Sequence, residues 1–237
     1  LTALVDGSRM VVWDTKTGKL KANHKIDQPV GHMIYMKDSP YLLLTGAFSG
    51  FDFFNTTDGK IYQSRIIGYP NFLHLDLSPS GDRLLMASNE RLHQTETAAL
   101  LAPLPAAYPP ATTPEGFVAA IKLPEKEKIH SLAVSADQKY LAVGCWGGSL
   151  RINDFQTRKV VSEINETGGS IQCLDFHPEG KVLAIGTSVG DVLLWNVEGA
   201  KLIKKHTIKH PKSGKEGAIC VLRFTPKGGG LIVGHHR

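Results

Sequence analysis

A unit of about 40 residues repeats along the chain and limits the folds open to it more than any other feature. Its clearest copy spans residues 171–201, where three short apolar runs lie at 171–176, 182–185 and 192–195. The segment 177–180, His-Pro-Glu-Gly, suits a type I turn, since proline favours the second position of such a turn and glycine the fourth. Links this short join antiparallel strands, because parallel neighbours need a crossover of a dozen or more residues.

The same order of features recurs when the other copies are aligned on Trp195. Its position is then taken by Trp13, Phe54, His93 and Asn153. The intervals are about 40 residues, apart from one of about 60 that contains an insertion. The run at 182–185 is apolar at consecutive positions, which indicates a strand with both faces buried. The pattern therefore predicts an all-β fold of four-stranded antiparallel units.

At these residues the chain resembles the WD-repeat β-propeller family over essentially its whole length. The family is named after a dipeptide whose copies and variants here are Trp13-Asp14, Phe54-Asn55, Asn153-Asp154 and Trp195-Asn196. The family's Gly-His pair is present at Gly31-His32. The resemblance implies a β-propeller built from four-stranded antiparallel blades.

The resemblance is incomplete at the hairpin between the second and third strands. Val189, Gly147 and Phe48 stand where the family carries an Asp that joins a hydrogen-bonded network within each blade. The resemblance therefore implies that these blades depend on apolar packing between sheets instead.

The repeats predict a single β-propeller segment over 1–237, with about four complete blades and two partial ones. Complete blades are expected at 31–66, 69–98, 127–164 and 168–208, and partial blades at 1–24 and 218–237. This arrangement predicts that the chain is an excerpt of a larger propeller.

A Pro/Ala-rich loop is expected at 98–123, between the fourth strand of one blade and the first strand of the next. Its five prolines favour extended chain over a helix or a central strand. Two interpretations remain open, a passive loop and a proline-rich binding motif.

The sequence carries no motif for catalysis or for cofactor binding. It lacks a phosphate-binding Gly-rich loop with Lys-Ser/Thr, a Gly-x-Ser-x-Gly elbow and a His-Glu-x-x-His zinc pair. His206 and His210 have the spacing of a metal pair only within a helix, and their neighbours favour a strand end and a loop. We therefore expect no enzyme, no cofactor, no metal site and no small-molecule substrate.

Cysteine usage and hydropathy bear on where the protein works. Cys145, Cys173 and Cys220 are an odd number with no close pair, which disfavours a disulfide framework and favours a reducing compartment. No apolar run approaches the roughly 18 residues of a membrane-spanning helix. The prediction is an intracellular, cytoplasmic protein without a transmembrane segment, and a cytoskeletal, ciliary or nuclear assembly stays open.

The net charge of +5 is concentrated in one segment. Residues 201–217 contain six lysines and one glutamate, and the rest of the chain is balanced. The partner-binding candidates within this segment are Lys204, Lys205, Lys209, Lys212 and Lys215. A basic segment attracts an acidic protein segment, RNA or phospholipid headgroups, and a solvated loop is the alternative.

Two aromatic side chains add to the candidate interface. Phe48 and Trp146 lie in or beside hairpins between second and third strands, where Gly, Ser or Asp is expected. Aromatic residues often dominate binding energy at interfaces, although packing against the adjacent blade is an equal alternative.

Together with these candidates, the resemblance implies a non-catalytic protein-protein interaction scaffold within a large intracellular assembly. Ribonucleoprotein, ubiquitin-ligase, vesicle-coat and cytoskeletal or ciliary complexes are the kinds of assembly it implies. The alternative is an anion-binding propeller that contacts RNA or phospholipid headgroups through 201–215.

Overall fold

The computed structural model describes a chain of β-strands and turns. The described residues are 2–5, 9–25, 30–36, 39–46, 51–58, 60–63, 74–79, 83–87, 91–96, 118–122, 127–165, 167–209 and 217–235. Within them there is no helix, and so none long and apolar enough to cross a membrane.

Six antiparallel sheets follow one another along the described chain. Sheet 1 contains β1 (Thr2–Val5), β2 (Arg9–Trp13) and β3 (Leu20–Lys25), and sheet 2 contains β4 (Val30–Tyr35), β5 (Tyr41–Gly46), β6 (Phe51–Asn55) and β7 (Ile61–Gln63). Sheet 3 contains β8 (His74–Leu77), β9 (Arg83–Ala87), β10 (Arg91–Glu96) and β11 (Val118–Lys122).

The remaining three sheets comprise ten strands. Sheet 4 contains β12 (Ile129–Val134), β13 (Tyr140–Cys145), β14 (Leu150–Asp154) and β15 (Val160–Ile164). Sheet 5 contains β16 (Ile171–Phe176), β17 (Val182–Thr187), β18 (Asp191–Asn196) and β19 (Lys201–Thr207), and sheet 6 contains β20 (Ile219–Phe224) and β21 (Leu231–His235). Sheets 2 to 5 each have four strands in sequence order, which confirms the predicted all-β fold of four-stranded antiparallel sheets.

Sheet 3 differs from the predicted organisation in two ways. Its fourth strand is β11, which lies inside the segment 98–123 and pairs with β10. The Pro/Ala-rich segment therefore enters between the third and fourth strands of one sheet, and not between two sheets. In addition, Thr95 lies opposite Leu84 as Trp195 lies opposite Leu183, so the alignment of His93 with Trp195 was wrong by two residues.

The core consists of apolar layers between successive sheets. Leu183 and Ile185 of β17 pack toward sheet 4, and Ala184 between them packs toward sheet 6. This alternation confirms that both faces of the run 182–185 are buried. Full burial of one such leucine or isoleucine contributes about 1.5–3 kcal/mol.

Two glycines allow the first strand of the next sheet to approach closely. A Cβ at Gly144 in β13 would lie 2.5 Å from the Cγ2 atom of Ile171, at the start of β16. At Gly186, the equivalent position in β17, a Cβ would lie 2.7 Å from the Cγ2 atom of Ile219 in β20. Neighbouring sheets are therefore set at a distance that any side chain at these positions would increase.

A polar residue follows the position of Trp195 in several sheets and closes the turn between the third and fourth strands. Asp14 Oδ1 accepts hydrogen bonds from the N–H groups of Lys16 and Thr17, both at 2.9 Å. Asp154 Oδ1 accepts one from Thr157 N at 2.7 Å. These bonds hold the pKa of both carboxyls below the usual range, with the Thr17 and Thr157 amides as the largest causes.

Candidate interaction surface

The hairpin between the second and third strands of a sheet lies at the same end as the segments that enter and leave that sheet. In sheet 4, Trp146 N donates to Lys128 O at 2.8 Å, and Thr167 N donates to Gly148 O at 3.1 Å. Sheet 5 repeats this pattern through residues 170, 188, 190 and 208. We call this end of the sheets the hairpin end.

Trp146 is the largest exposed apolar side chain described at the hairpin end. Trp146 is 59% exposed, and the centroid of its ring lies 5.1 Å from the centroid of the His130 ring. Its support comes from β12 of its own sheet. The ring is thereby held in place while most of its surface faces solvent.

Val189 occupies the corresponding hairpin of sheet 5 and is 38% exposed. Its side chain lies against Gly169 in the segment that enters the sheet, where an added Cβ would approach the Val189 methyl groups to 3.0 Å. Of the other candidates for this end, Phe48, Lys212 and Lys215 lie outside the described residues.

The basic candidates that the structure describes lie on or next to β19, the outermost strand of sheet 5. All six residues from 201 to 206 are exposed. Lys204 and Lys205 belong to this strand, and Lys209 follows it after Ile208. The structure thus places the described aromatic candidate, Trp146, at the hairpin end and the described basic candidates along one sheet edge.

Asp191 lies where the hairpin of sheet 5 meets β19. This buried residue at the start of β18 accepts a hydrogen bond from Thr207 Oγ1 at 2.6 Å, and its Oδ2 lies 2.6 Å from Lys205 Nζ. Burial acts to raise the pKa of Asp191. The hydrogen bonds from Lys205 and Thr207, with the charge of Lys205, outweigh burial and hold that pKa below its usual value.

Sheet 4 contains a comparable polar network around Glu127. Its carboxylate accepts a hydrogen bond from Ser149 Oγ at 2.8 Å and lies 3.8 Å from Arg151 Nη2. Arg151 Nε also donates to Glu163 at 2.8 Å. The expectation that apolar packing alone replaces the family's network was therefore incomplete.

Sequence reasoning missed both Asp191 and Glu127 because they act through distant residues. The Thr207 hydroxyl is 16 positions from Asp191, and the Ser149 hydroxyl is 22 positions from Glu127. A usable signal existed for Asp191, a carboxylate directly after Gly190 at the first position of an apolar strand.

Carboxylates also join the first strands of different sheets. Asp175 in β16 accepts hydrogen bonds from Phe224 N at 2.6 Å and from Arg223 Nη1 at 3.1 Å, both in β20. Burial raises the pKa of Asp175 even though these donors oppose the shift. At the equivalent position in β8, burial raises the pKa of Asp76 to about 6, against the opposing charge of Arg223.

Two of the three cysteines lie in surroundings that disfavour the thiolate form. Burial raises the pKa of the Cys145 thiol to about 11 and that of Cys173 to about 12, which disfavours the nucleophilic thiolate at neutral pH. In this part of the chain, no group of three His, Cys, Asp or Glu residues is placed to hold a metal ion.

Two family models match parts of the chain. The model described as anaphase-promoting complex subunit 4 WD40 domain matches residues 163–227. The model described as WD domain, G-beta repeat matches residues 120–154. The first match covers sheet 5 and all of β20, and the second runs from within β11 to the end of β14.

Similar curated proteins include telomerase protein component 1 of Mus musculus, 29% identical over 107 residues, which cover 45% of this chain and 4% of that protein. The periodic tryptophan protein 2 homolog of Schizosaccharomyces pombe is 30% identical over 73 residues, covering 31% of this chain and 8% of that protein.

Human echinoderm microtubule-associated protein-like 2 is 44% identical over 61 residues, which cover 26% of this chain and 8% of that protein. The chain thus spans less than a tenth of the length of each of these relatives. Successive four-stranded sheets, the repeated turn chemistry and the matching repeats support a WD-repeat protein, with no particular member indicated.

Proposed function

We propose that the chain is a non-catalytic scaffold for protein-protein interaction within a large intracellular assembly. The observation that carries this proposal is the hairpin end, where Trp146 is held by its main chain and by His130 while its ring faces solvent. A binding residue fixed in advance loses little conformational entropy when a partner binds.

The similar proteins agree with this function in general terms. One matching family model is named after a subunit of the anaphase-promoting complex. The similar proteins include one named as a telomerase protein component and one named as microtubule-associated protein-like. Repeats of this family generally bind other proteins. For this chain we propose the role of a subunit in such an assembly, at a cytoplasmic, cytoskeletal or nuclear location.

Exchange of Trp146 in the full-length protein tests the proposal. A photo-crosslinking amino acid at position 146 should capture a defined protein partner, and Trp146→Ala should release that partner during purification. Val160, an exposed residue on β15 away from the hairpin end, provides the matched control. If both variants retained the complete set of partners, the hairpin end would not be the binding surface.

The alternative is an anion-binding propeller that uses the lysines of 201–215 on RNA or phospholipid headgroups. The exposed lysines of β19 support it. The described residues 201–209 contain no Phe, Tyr or Trp that could stack on bases. A steep loss of affinity with rising salt would favour this alternative, because counterion release drives binding to nucleic acids.

A further inference from the structure

β19 forms the outer edge of sheet 5 in the described part of the chain and combines charged and apolar residues. β19 is the longest strand described, with 7 residues, and in the described part of the chain its ladder partner is β18 alone. An edge strand presents a row of N–H and C=O groups that another extended segment can pair with. Such pairing adds a strand to a sheet and is a recurrent mode of peptide recognition.

The register shows which main-chain groups of β19 face outward. Ile208 N donates to Gly190 O at 2.8 Å, and residues 206 and 204 lie opposite Val192 and Leu194. Hydrogen-bonded and non-hydrogen-bonded positions alternate in an antiparallel pair. Residues 204 and 206 therefore direct their main-chain groups at β18, and residues 205 and 207 direct theirs away from the sheet.

The side chains of β19 combine positive charge with exposed apolar surface. Leu202 and Ile203 are 46% and 51% exposed. Lys201 and Lys204 lie on one face of the strand, in register with Asn196 and Leu194. In the described residues, neither of these two lysines forms an ion pair, whereas Lys205 is held by Asp191.

The outer strand of sheet 4 lacks this pattern. β15 exposes Val160 and Val161 but carries Glu163 and no lysine. The difference between the two edges is one of charge. A partner segment that complements β19 would therefore be acidic, extended and apolar at alternate positions.

We propose that β19 accepts an acidic extended segment of a partner protein as a fifth strand of sheet 5. This inference rests on the proposed scaffold function and names the class of partner segment. The incoming strand would pair with the outward main-chain groups at residues 205 and 207. Its carboxylates would lie beside Lys201 and Lys204, and its apolar side chains would cover Leu202 and Ile203.

The test uses the full-length protein and a fluorescent peptide with alternating glutamate and valine. Binding measured by anisotropy should weaken at least tenfold with Lys201→Glu/Lys204→Glu and should be lost for a peptide N-methylated at alternate residues. Lys16→Glu/Lys60→Glu makes the same change in net charge at two exposed lysines of sheets 1 and 2, away from β19, and should leave the affinity within about twofold. Circular dichroism of each variant verifies that the sheets remain folded.

Hydrogen exchange supplies the readout specific to strand addition. The amides of Lys205 and Thr207 should become protected when the peptide binds, whereas those of Lys204 and His206 should change little because they already face β18. Peptide binding without this protection would overturn the proposal. The proposal would also be overturned if the peptide did not bind while an RNA oligonucleotide or phosphatidylserine vesicles did, in a manner that depends on Lys201 and Lys204.

The outcomes also separate this proposal from the scaffold function. If the peptide fails to bind while Trp146→Ala still releases a protein partner, β19 is not a docking strand and the scaffold function stands. If neither the Trp146 variant nor the double lysine variant changes the set of partners, both proposals fail.

Discussion

Asn153 offers the clearest test of the packing between the sheets. It occupies the position of Trp195 in sheet 4, is completely buried and lies directly opposite Leu141. Neither its Nδ2 nor its Oδ1 atom has a hydrogen-bond partner in the described structure. A buried amide that gives up water without gaining a partner destabilises the fold.

The expected effect of Asn153→Leu follows from this arrangement. Leaving a buried polar group unsatisfied costs about 1–3 kcal/mol, and leucine has nearly the shape of asparagine without its polar atoms. Some repacking strain opposes the gain. We therefore expect the free energy of unfolding to rise by about 1–2 kcal/mol. Asn153→Ala should gain less, because it leaves a cavity in the core.

Urea unfolding of the folded protein, followed by circular dichroism, measures this change as a shift of the midpoint at constant slope. Asn196→Leu is the matched control. Its Oδ1 atom accepts a hydrogen bond from Gly199 N at 2.7 Å, so its loss should lower stability by about 1 kcal/mol. A lower unfolding midpoint for Asn153→Leu than for the unaltered protein would refute the reasoning.

Three further predictions concern single positions. Gln138 has a φ of 57° where the equivalent turn of sheet 5 has Gly180 at 74°. In urea unfolding, Gln138→Gly should raise the free energy of unfolding and Gly180→Ala should lower it, each by about 1 kcal/mol. Gly144→Ala should lower the free energy of unfolding by about 1–3 kcal/mol, because the new methyl group would overlap Ile171 and force the sheets apart. Burial raises the pKa of Asp76 from 3.8 to about 6, so the folded protein binds more protons than the unfolded chain between these pH values, and stability falls as pH rises through this window. Asp76→Asn should flatten that fall, which midpoints measured at pH 4.5 and 7 would show.

The fold was accessible from the sequence because each strand and each turn carries a local signal. The run 182–185 is apolar at every position, and the structure buries both its faces. Pro178 and Gly180 specify the turn before this run, which Gly180 N closes onto His177 O at 2.7 Å. Local chemistry and global packing agree at these residues.

Prediction failed where position is set by pairing and not by local pattern. β10 has few apolar residues to indicate its register, and only the ladder with β9 places Thr95 opposite Leu84. β11 joins the same sheet after an intervening segment of 21 residues, 97–117, so no hairpin signal links it to β10. From sequence alone, a proline-rich connection between two strands of one sheet therefore could not be told from a connection between two sheets.

The candidate surface was only partly accessible for a related reason. The lysine content of 201–217 is visible in the sequence, but the division of those lysines is not. Lys205 is engaged by Asp191, whereas Lys201 and Lys204 are exposed and lack ion pairs among the described residues. The sequence shows how many lysines the segment has, but only the register of the strands shows which of them are available to a partner.

The Asp191 network makes the hairpin end and the β19 edge one continuous surface. Thr207 and Lys205 lie on β19, and their partner Asp191 lies two residues after Val189, which belongs to the hairpin of the same sheet. A segment that pairs with residues 205 and 207 therefore reaches the hairpin end within one or two more residues, at about 3.3 Å per residue. One partner can thus contact both surfaces, and their binding energies would combine through a high effective concentration.

Lys205→Ala is unsuited to testing this coupling because it leaves a buried carboxylate without its cation, so the loss of binding would include a loss of stability. Combining Trp146→Ala with Lys201→Glu/Lys204→Glu avoids that problem. If one purified partner spans both surfaces, each variant alone weakens its binding, and the combined variant loses affinity by about the product of the two separate losses.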